Sequence, residues 1–172
     1  MYTDINYSKL PPFDNVVNEA RTCITEDIDE KDTYMKFWFS DEKWKKNKFA
    51  HCDVLYKDNE IVALCGNVLI EDTLKIFCHL YVIKKFRKFY PSIHQTNILP
   101  AKIDFAKNHN LTELWYTIDT FDKRHKRLSD SQKYFIVGAA SRKVSMPDYY
   151  KFEYKGRVTY NYTEQDKFSL FL

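Results

Sequence analysis

Apolar positions along the chain recur first at helical spacing, then at strand spacing, then in alternating blocks of both. From Asn15 to about Thr25, Val16, Val17, Ala20 and Ile24 share one face, and Asp14 is placed to cap the segment. A second helical stretch runs from about Asp32 to Lys46, and Ser40 is a fair N-cap should it break there. From His51 the period drops to two. Asp58-Asn59 reads as a two-residue hairpin loop, which sets Tyr56 opposite Ile61, Val54 opposite Ala63 and Cys52 opposite Cys65. A second turn at Glu71-Asp72 continues the meander and sets Cys65 opposite Cys78. One face of the meander then carries Cys52, Val54, Cys65, Ile76 and Cys78. The other carries Leu55, Val62, Leu64, Phe77, His79 and Tyr81. Both faces are largely apolar, so the sheet should be covered on both sides.

The rest of the chain reads as strand, helix, strand, helix, strand. Thr73–Ile83 is a strand, about Ser92–His109 a helix and Leu111–Asp119 a strand, which makes the two strands parallel. Ile98, Leu99, Ala101, Ile103, Phe105 and Ala106 form the inner stripe of that helix, and Asn110 suits a left-handed C-cap. Pro100 requires either a cap at Asn97, with the proline in the first turn, or a kink. Asp122–Phe135 fits a further helix, and strict alternation over Tyr150–Tyr162 fits a half-buried strand.

Composition narrows the function. The 172 residues suit one domain, and 44% hydrophobic with 17% aromatic residues supply a sizeable core. Lys and Arg number 27 against 24 acidic residues, a net +3, so a whole-molecule grip on nucleic acid is not expected. Glycine occurs only at 66, 138 and 156, which excludes a Walker loop and a dinucleotide fingerprint. A phosphate site here must use side-chain cations or helix-end amides. Met1–Leu10 holds no apolar signal region, and the longest apolar run, Ile61–Ile70, falls short of the roughly 18–20 residues of a membrane span. A soluble, cytoplasmic protein with no membrane partner is expected. Cys23, Cys52, Cys65 and Cys78 show no C-x-x-C spacing, and no metal is expected. No oligomeric state can be read from the chain, and a homodimer is compatible with it.

Two basic clusters, Lys84-Lys85-Arg87-Lys88 and Lys123-Arg124-Lys126-Arg127, follow the C-terminal ends of the two parallel strands, where α/β sheets bind ligands. They could hold a pyrophosphate or a 3′-phosphate, form a solvated surface, or meet a nucleic-acid backbone beside Phe86, Phe89 and Tyr90.

The element order, with Leu80-Tyr81-Val82 followed by Arg87, a helix ending Ala106-Lys107-Asn108-His109-Asn110, and then Leu111-Thr112-Glu113-Leu114, resembles the GNAT superfamily of acyl-CoA N-acyltransferases over roughly Asp14 to Tyr160. The resemblance implies a single α/β domain over residues 1–172. Its central mixed sheet would be mostly antiparallel, with one parallel βαβ pair and helices on both faces. The family's pyrophosphate loop, [Q/R]-x-x-G-x-[G/A], matches here at Arg87 and Ser92. Tyr90 replaces the first glycine and Pro91 removes an amide donor. Asp122 and Ser129 stand where the family often has Asn and Tyr.

What the family does sets the functional expectations. The co-substrate would be acetyl-CoA or another acyl-CoA, and the acceptor a small-molecule or peptide amine. Val82 and Ile83 would offer backbone groups to the pantetheine arm, and Arg87, Lys88 and Ser92, joined by Arg124, would meet the phosphates. His79 would be the general base and Tyr134 a displaced acid for the leaving thiolate. Tyr34, Phe37, Trp38, Phe39 and Trp44 would line the acceptor site. The alternative is a catalytically inactive GNAT-like module that binds protein or nucleic acid.

Overall fold

The computed structural model describes residues 5–89, 98–120, 152–160 and 162–172. Its strands are β1 (Asn6–Leu10), β2 (His51–Lys57), β3 (Glu60–Ile70), β4 (Thr73–Val82), β5 (Glu113–Asp119), β6 (Glu153–Tyr160) and β7 (Thr163–Phe171). Its helices are α1 (Asn15–Asp27), α2 (Thr33–Trp38), α3 (Asp41–Lys46) and α4 (Leu99–Asn108), with a 3-10 turn over Lys84–Phe89. The strands form a seven-stranded mixed sheet in the order β1-β2-β3-β4-β5-β7-β6, with one parallel pair, so the α/β class expected from the sequence holds. Two compact units divide the chain. The first holds residues 1–71 and 75–105, the second residues 72–74 and 106–172.

In the first unit α1, α2 and α3 each begin where a side chain can satisfy a free amide. Asp14 accepts the Val16 N–H at 2.9 Å and Asp32 the Met35 N–H at 3.0 Å. Ser40 accepts the Lys43 N–H at 3.3 Å, so the second helical stretch does break there. Arg21 ties the three helices together. It donates to the Phe39 carbonyl at 3.0 Å and to Asn18 at 2.7 Å, and it pairs with Asp41 at 2.7 Å.

The β2–β3 hairpin turns at Asp58 and Asn59, with φ of 49° and 66°, the left-handed pair that a two-residue loop needs. Tyr56 faces Ile61 as expected. A one-residue slip between Leu55 and Tyr56 then corrects the register beyond it: Leu55 pairs with Ala63, Asp53 with Cys65, and Cys52 with Gly66. The expected Cys52–Cys65 pairing is therefore absent. Its place is taken by Asp53 opposite Cys65, with Asn67 on the same side. Every residue from His51 to Leu55 and from Val62 to Asn67 is buried, so both faces of these strands are covered.

Strand β1, which the hydrophobic pattern did not reveal, pairs antiparallel with β2 and sets Tyr7 beside Leu55. On the Asp53 face lies α4. Pro100 stands in its first turn and Asn110 closes it at φ 55°. Its Lys102 side chain is fully buried and forms an ion pair with Asp53, which is also fully buried. Lys102 donates a second hydrogen bond to Asn67 Oδ1 at 2.5 Å. Tyr7 donates to Asp53 Oδ1 at 2.5 Å, and Asn67 Nδ2 and Cys65 Sγ donate to Oδ2 at 2.9 and 3.4 Å. Burial alone would raise the Asp53 pKa, but the Lys102 charge and these donors hold it below the ordinary carboxylate value. Burial likewise pulls Lys102 down, and Asp53 more than restores it.

In the second unit β7 lies between β5 and β6, antiparallel to both. The alternating C-terminal segment is thus one strand, β6, and β7 is a further strand that alternation did not separate from it. Gly156, at φ 92°, shifts the β6 register. Thr112 N–H donates to the Asp72 carbonyl at 2.8 Å and Trp115 Nε1 to Thr73 Oγ1 at 2.9 Å, which fixes β5 against the first residues of β4. Asp166, fully buried, accepts from Tyr154 at 2.9 Å and from Arg157 at 3.1 Å. The expected helix over Asp122–Phe135 lies outside the described residues.

Removing Lys102 alone should strand a buried carboxylate. Chemical denaturation of Lys102→Met should show a loss of about 3–5 kcal/mol, and adding Asp53→Leu should recover most of it. A single variant within about 1 kcal/mol of the parent would contradict this account of the pair.

Candidate functional site

The β4 strand does not keep a plain pleat. Phe77 and His79 adopt φ of 60° and 51°, left-handed values that non-glycine residues in strands avoid, at a cost on the order of 1–3 kcal/mol each. The consequence is a change of face. Phe77 lies under the Lys102 ammonium on the α4 side, its ring centroid 5.2 Å from Nζ. His79 instead meets the helical side. The expectation that Phe77, His79 and Tyr81 share one face is corrected by these two residues.

The His79 ring sits against Trp38 at 5.0 Å, Phe49 at 6.0 Å, Trp44 at 6.3 Å and Phe39 at 6.4 Å. Trp38 ends α2, Phe39 begins the turn to α3 and Trp44 lies within α3, so the caps at Asp32 and Ser40 aim this wall. Trp44 is held by its indole N–H on the Pro12 carbonyl at 2.8 Å and by Arg21 over its ring at 5.7 Å. Phe49 closes the wall because residue 66 is glycine. A Cβ at Gly66 would come within 2.4 Å of the Phe49 ring. Phe49 was not foreseen as part of the site, and the isolated glycine in a strand was the signal for it.

Burial among these rings is the main reason the imidazole pKa falls to about 4. The Lys43 and Lys75 charges push it the same way, and a hydrogen bond to the Trp38 backbone opposes them. Nδ1 is buried and has no hydrogen-bond partner among the described residues. The Trp38 bond therefore assigns the proton to Nε2 and leaves a lone pair on Nδ1. The imidazole is therefore neutral at neutral pH, a weak base with an unshared lone pair on Nδ1.

The other expected site residues are placed unevenly. Val82 ends β4 and Ile83 follows it, and three of their backbone groups are engaged. The Val82 carbonyl accepts Arg87 Nε at 3.0 Å, Ile83 N–H donates to the Val62 carbonyl at 2.9 Å, and the Ile83 carbonyl accepts the Phe86 N–H at 2.9 Å. Three of these backbone groups thus already have partners within the protein. The cations beside them do suit an anion. Lys84 pairs with Asp29 at 2.6 Å and Lys85 with Glu60 at 2.5 Å, and exposed pairs of this kind exchange at little cost. Arg87 also stacks over Tyr81, 5.1 Å from its centroid. Lys88 belongs to the 3-10 turn, but its side chain lies outside what is described, as do Ser92, Arg124 and Tyr134. Buried thiols are poor nucleophiles here. Burial pushes Cys52 up to about 12 and Cys65 well above its ordinary value.

The depressed imidazole pKa has a sign that can be checked. A group with a folded pKa near 4 and an ordinary value of 6.5 contributes stability above 6.5 and loses it as pH falls toward 4. The stability difference between the parent and His79→Asn, a residue that tolerates left-handed φ, should therefore shrink by about 3 kcal/mol between those limits. Parallel pH–stability curves for the two proteins would rule out a neutral buried imidazole.

No family model matches the chain, and no curated protein sequence does. Solved structures do. The ribosomal-protein-S18-alanine N-acetyltransferase of Escherichia coli superposes with a TM-score of 0.59 at 12% identity, covering 96% of this chain and 92% of its own. The PaiA N-acetyltransferase of Thermoplasma acidophilum, in complex with coenzyme A, gives 0.57 at 12% identity, covering 95% and 97%. A protein assigned to the GNAT family from Desulfovibrio desulfuricans gives 0.59 at 10% identity, covering 97% and 98%. At such identities the likeness concerns the fold. The strand order, the parallel pair and the near-complete coverage together give this chain a GNAT-like fold.

Proposed function

We propose that the protein is an N-acyltransferase that moves an acyl group from acyl-CoA to a small-molecule or peptide amine. One observation carries the reading: a neutral His79 with an unpartnered Nδ1, set in an aromatic wall on a strand that two left-handed residues have re-aimed. Acyl-CoA, when bound, supplies a thioester carbon open to attack by an amine. His79 Nδ1 takes the proton that the acceptor nitrogen releases, directly or through one water, and the Trp38 backbone fixes the tautomer that can do so. The rings around it exclude water from the transfer. Lys84, Lys85 and Arg87 suit the anionic end of the co-substrate as side-chain cations, in place of loop glycines.

A second reading, a non-catalytic binding module on the same fold, is favoured by the engaged Val82 and Ile83 backbone groups. The two separate on calorimetry with acetyl-CoA and on release of free thiol in the presence of amines. The acyltransferase reading expects both signals, with activity falling by roughly 10²–10⁴ in His79→Asn. It also expects the acid limb of the rate to sit near pH 4 rather than 6.5. Absence of heat with millimolar acetyl-CoA, together with absence of thiol release, would favour the module.

A further inference from the structure

His79 reaches the aromatic wall only because β4 gives up its plain pleat. In a regular strand, residues two apart point the same way. Phe77 and His79 do not: Phe77 meets the α4 side and His79 the rings of α2 and α3, through left-handed φ of 60° and 51°. Each such conformation costs free energy in a non-glycine residue, so side-chain contacts must hold both ends of the kink.

At the His79 end the contact is Trp38, 5.0 Å from the imidazole, with Phe49, Trp44 and Phe39 around it. At the Phe77 end it is the Lys102 ammonium, 5.2 Å from the ring centroid. That ammonium is fully buried and fixed in place. It pairs with Asp53 and donates to Asn67 Oδ1 at 2.5 Å. A cation removed from water attracts an aromatic face more strongly than an exposed one does, and an aliphatic side chain offers it no such face. One residue, Phe77, thus connects the buried ion pair to the strand segment that carries the imidazole.

We propose that Phe77 and Lys102 are positioning residues for His79: the ring anchored on the ammonium holds β4 in the left-handed kink that presents the imidazole to the aromatic wall. Neither is a catalytic residue. The kinetic consequence rests on the acyltransferase reading, whereas the state of the imidazole can be read with no co-substrate present.

The test is a cycle of variants of the full chain. Phe77→Leu removes the ring face and Phe77→Tyr keeps it. Lys102→Met combined with Asp53→Leu removes the ammonium without stranding a charge. Each protein is read twice, by acetyl transfer from acetyl-CoA to a panel of alkyl amines, amino acids and short peptides, and by nitrogen-15 histidine NMR at neutral pH. Phe77→Leu should lower kcat roughly tenfold with KM within about twofold, because a displaced proton acceptor affects transfer and not binding. The Lys102→Met/Asp53→Leu protein should show the same loss, and adding Phe77→Leu to it should cost less than about twofold more. Phe77→Tyr should stay within about threefold of the parent. In the NMR spectrum the Nε2–H tautomer of His79 should give way to a mixture in Phe77→Leu and in the ammonium-free protein, and persist in Phe77→Tyr.

Circular dichroism checks that each variant folds. If Phe77→Leu does not, the ammonium-free protein carries the same comparison. An unchanged His79 signal in the ammonium-free protein would overturn the proposal. So would losses that multiply when the two changes are combined, or a Phe77→Tyr protein as impaired as Phe77→Leu. A His79 signal that responds as expected, in a parent that transfers no acetyl group to any amine, would uphold the positioning and sink the acyltransferase reading. Acetyl transfer that His79→Asn abolishes, with His79 indifferent to Phe77 and Lys102, would do the reverse.

Discussion

A lysine and an aspartate buried together beneath α4 are the constraint on which the first unit depends. Lys102 and Asp53 are each removed from water, so neither charge can be left without the other. Their remaining valences are met by Tyr7 from β1 and by Asn67 and Cys65 from β3. One carboxylate therefore fixes the register of three strands and the seat of a helix. The slip between Leu55 and Tyr56 is what brings Asp53 opposite Cys65, where an uninterrupted register would set it opposite Leu64. Such a network adds little net stability compared with apolar packing, but it penalises every other register.

That fixed register is what makes the strain in β4 tolerable. Phe77 reaches the Lys102 side and His79 the aromatic side, two residues apart, only because both adopt left-handed backbone. Strain held at one point by a rigid surround is common where a side chain must be aimed for chemistry. Here the aimed group is an imidazole kept neutral by burial, and the aim is completed from the opposite side by Gly66, whose missing side chain admits Phe49.

Much of this could be read from the chain because it follows from periodicity. Asp14, Asp32 and Ser40 cap helices, Asp58-Asn59 turns a hairpin, Asn110 closes α4, and doubly apolar strands have cover on both faces. His79 and its ring neighbours Trp38, Phe39 and Trp44 were also legible, through the family resemblance. What escaped does not obey period rules. A bulge inserts one residue and reverses every later side chain. Positive φ in a strand has no sequence mark at Phe or His. Lys102 reads as solvent-facing until its partner is known, and that partner, Asp53, is placed only by the bulge. Short β1 carries too little pattern to stand out, with Asn6, Ser8 and Lys9 among its five residues.

The account stands or falls on the protonation state of one imidazole. An NMR titration of the protein labelled with nitrogen-15 at histidine reads it directly. The account predicts that His79 stays neutral, with its proton on Nε2, down to a midpoint near 4. A midpoint near 6.5, or a proton on Nδ1 throughout, would contradict it.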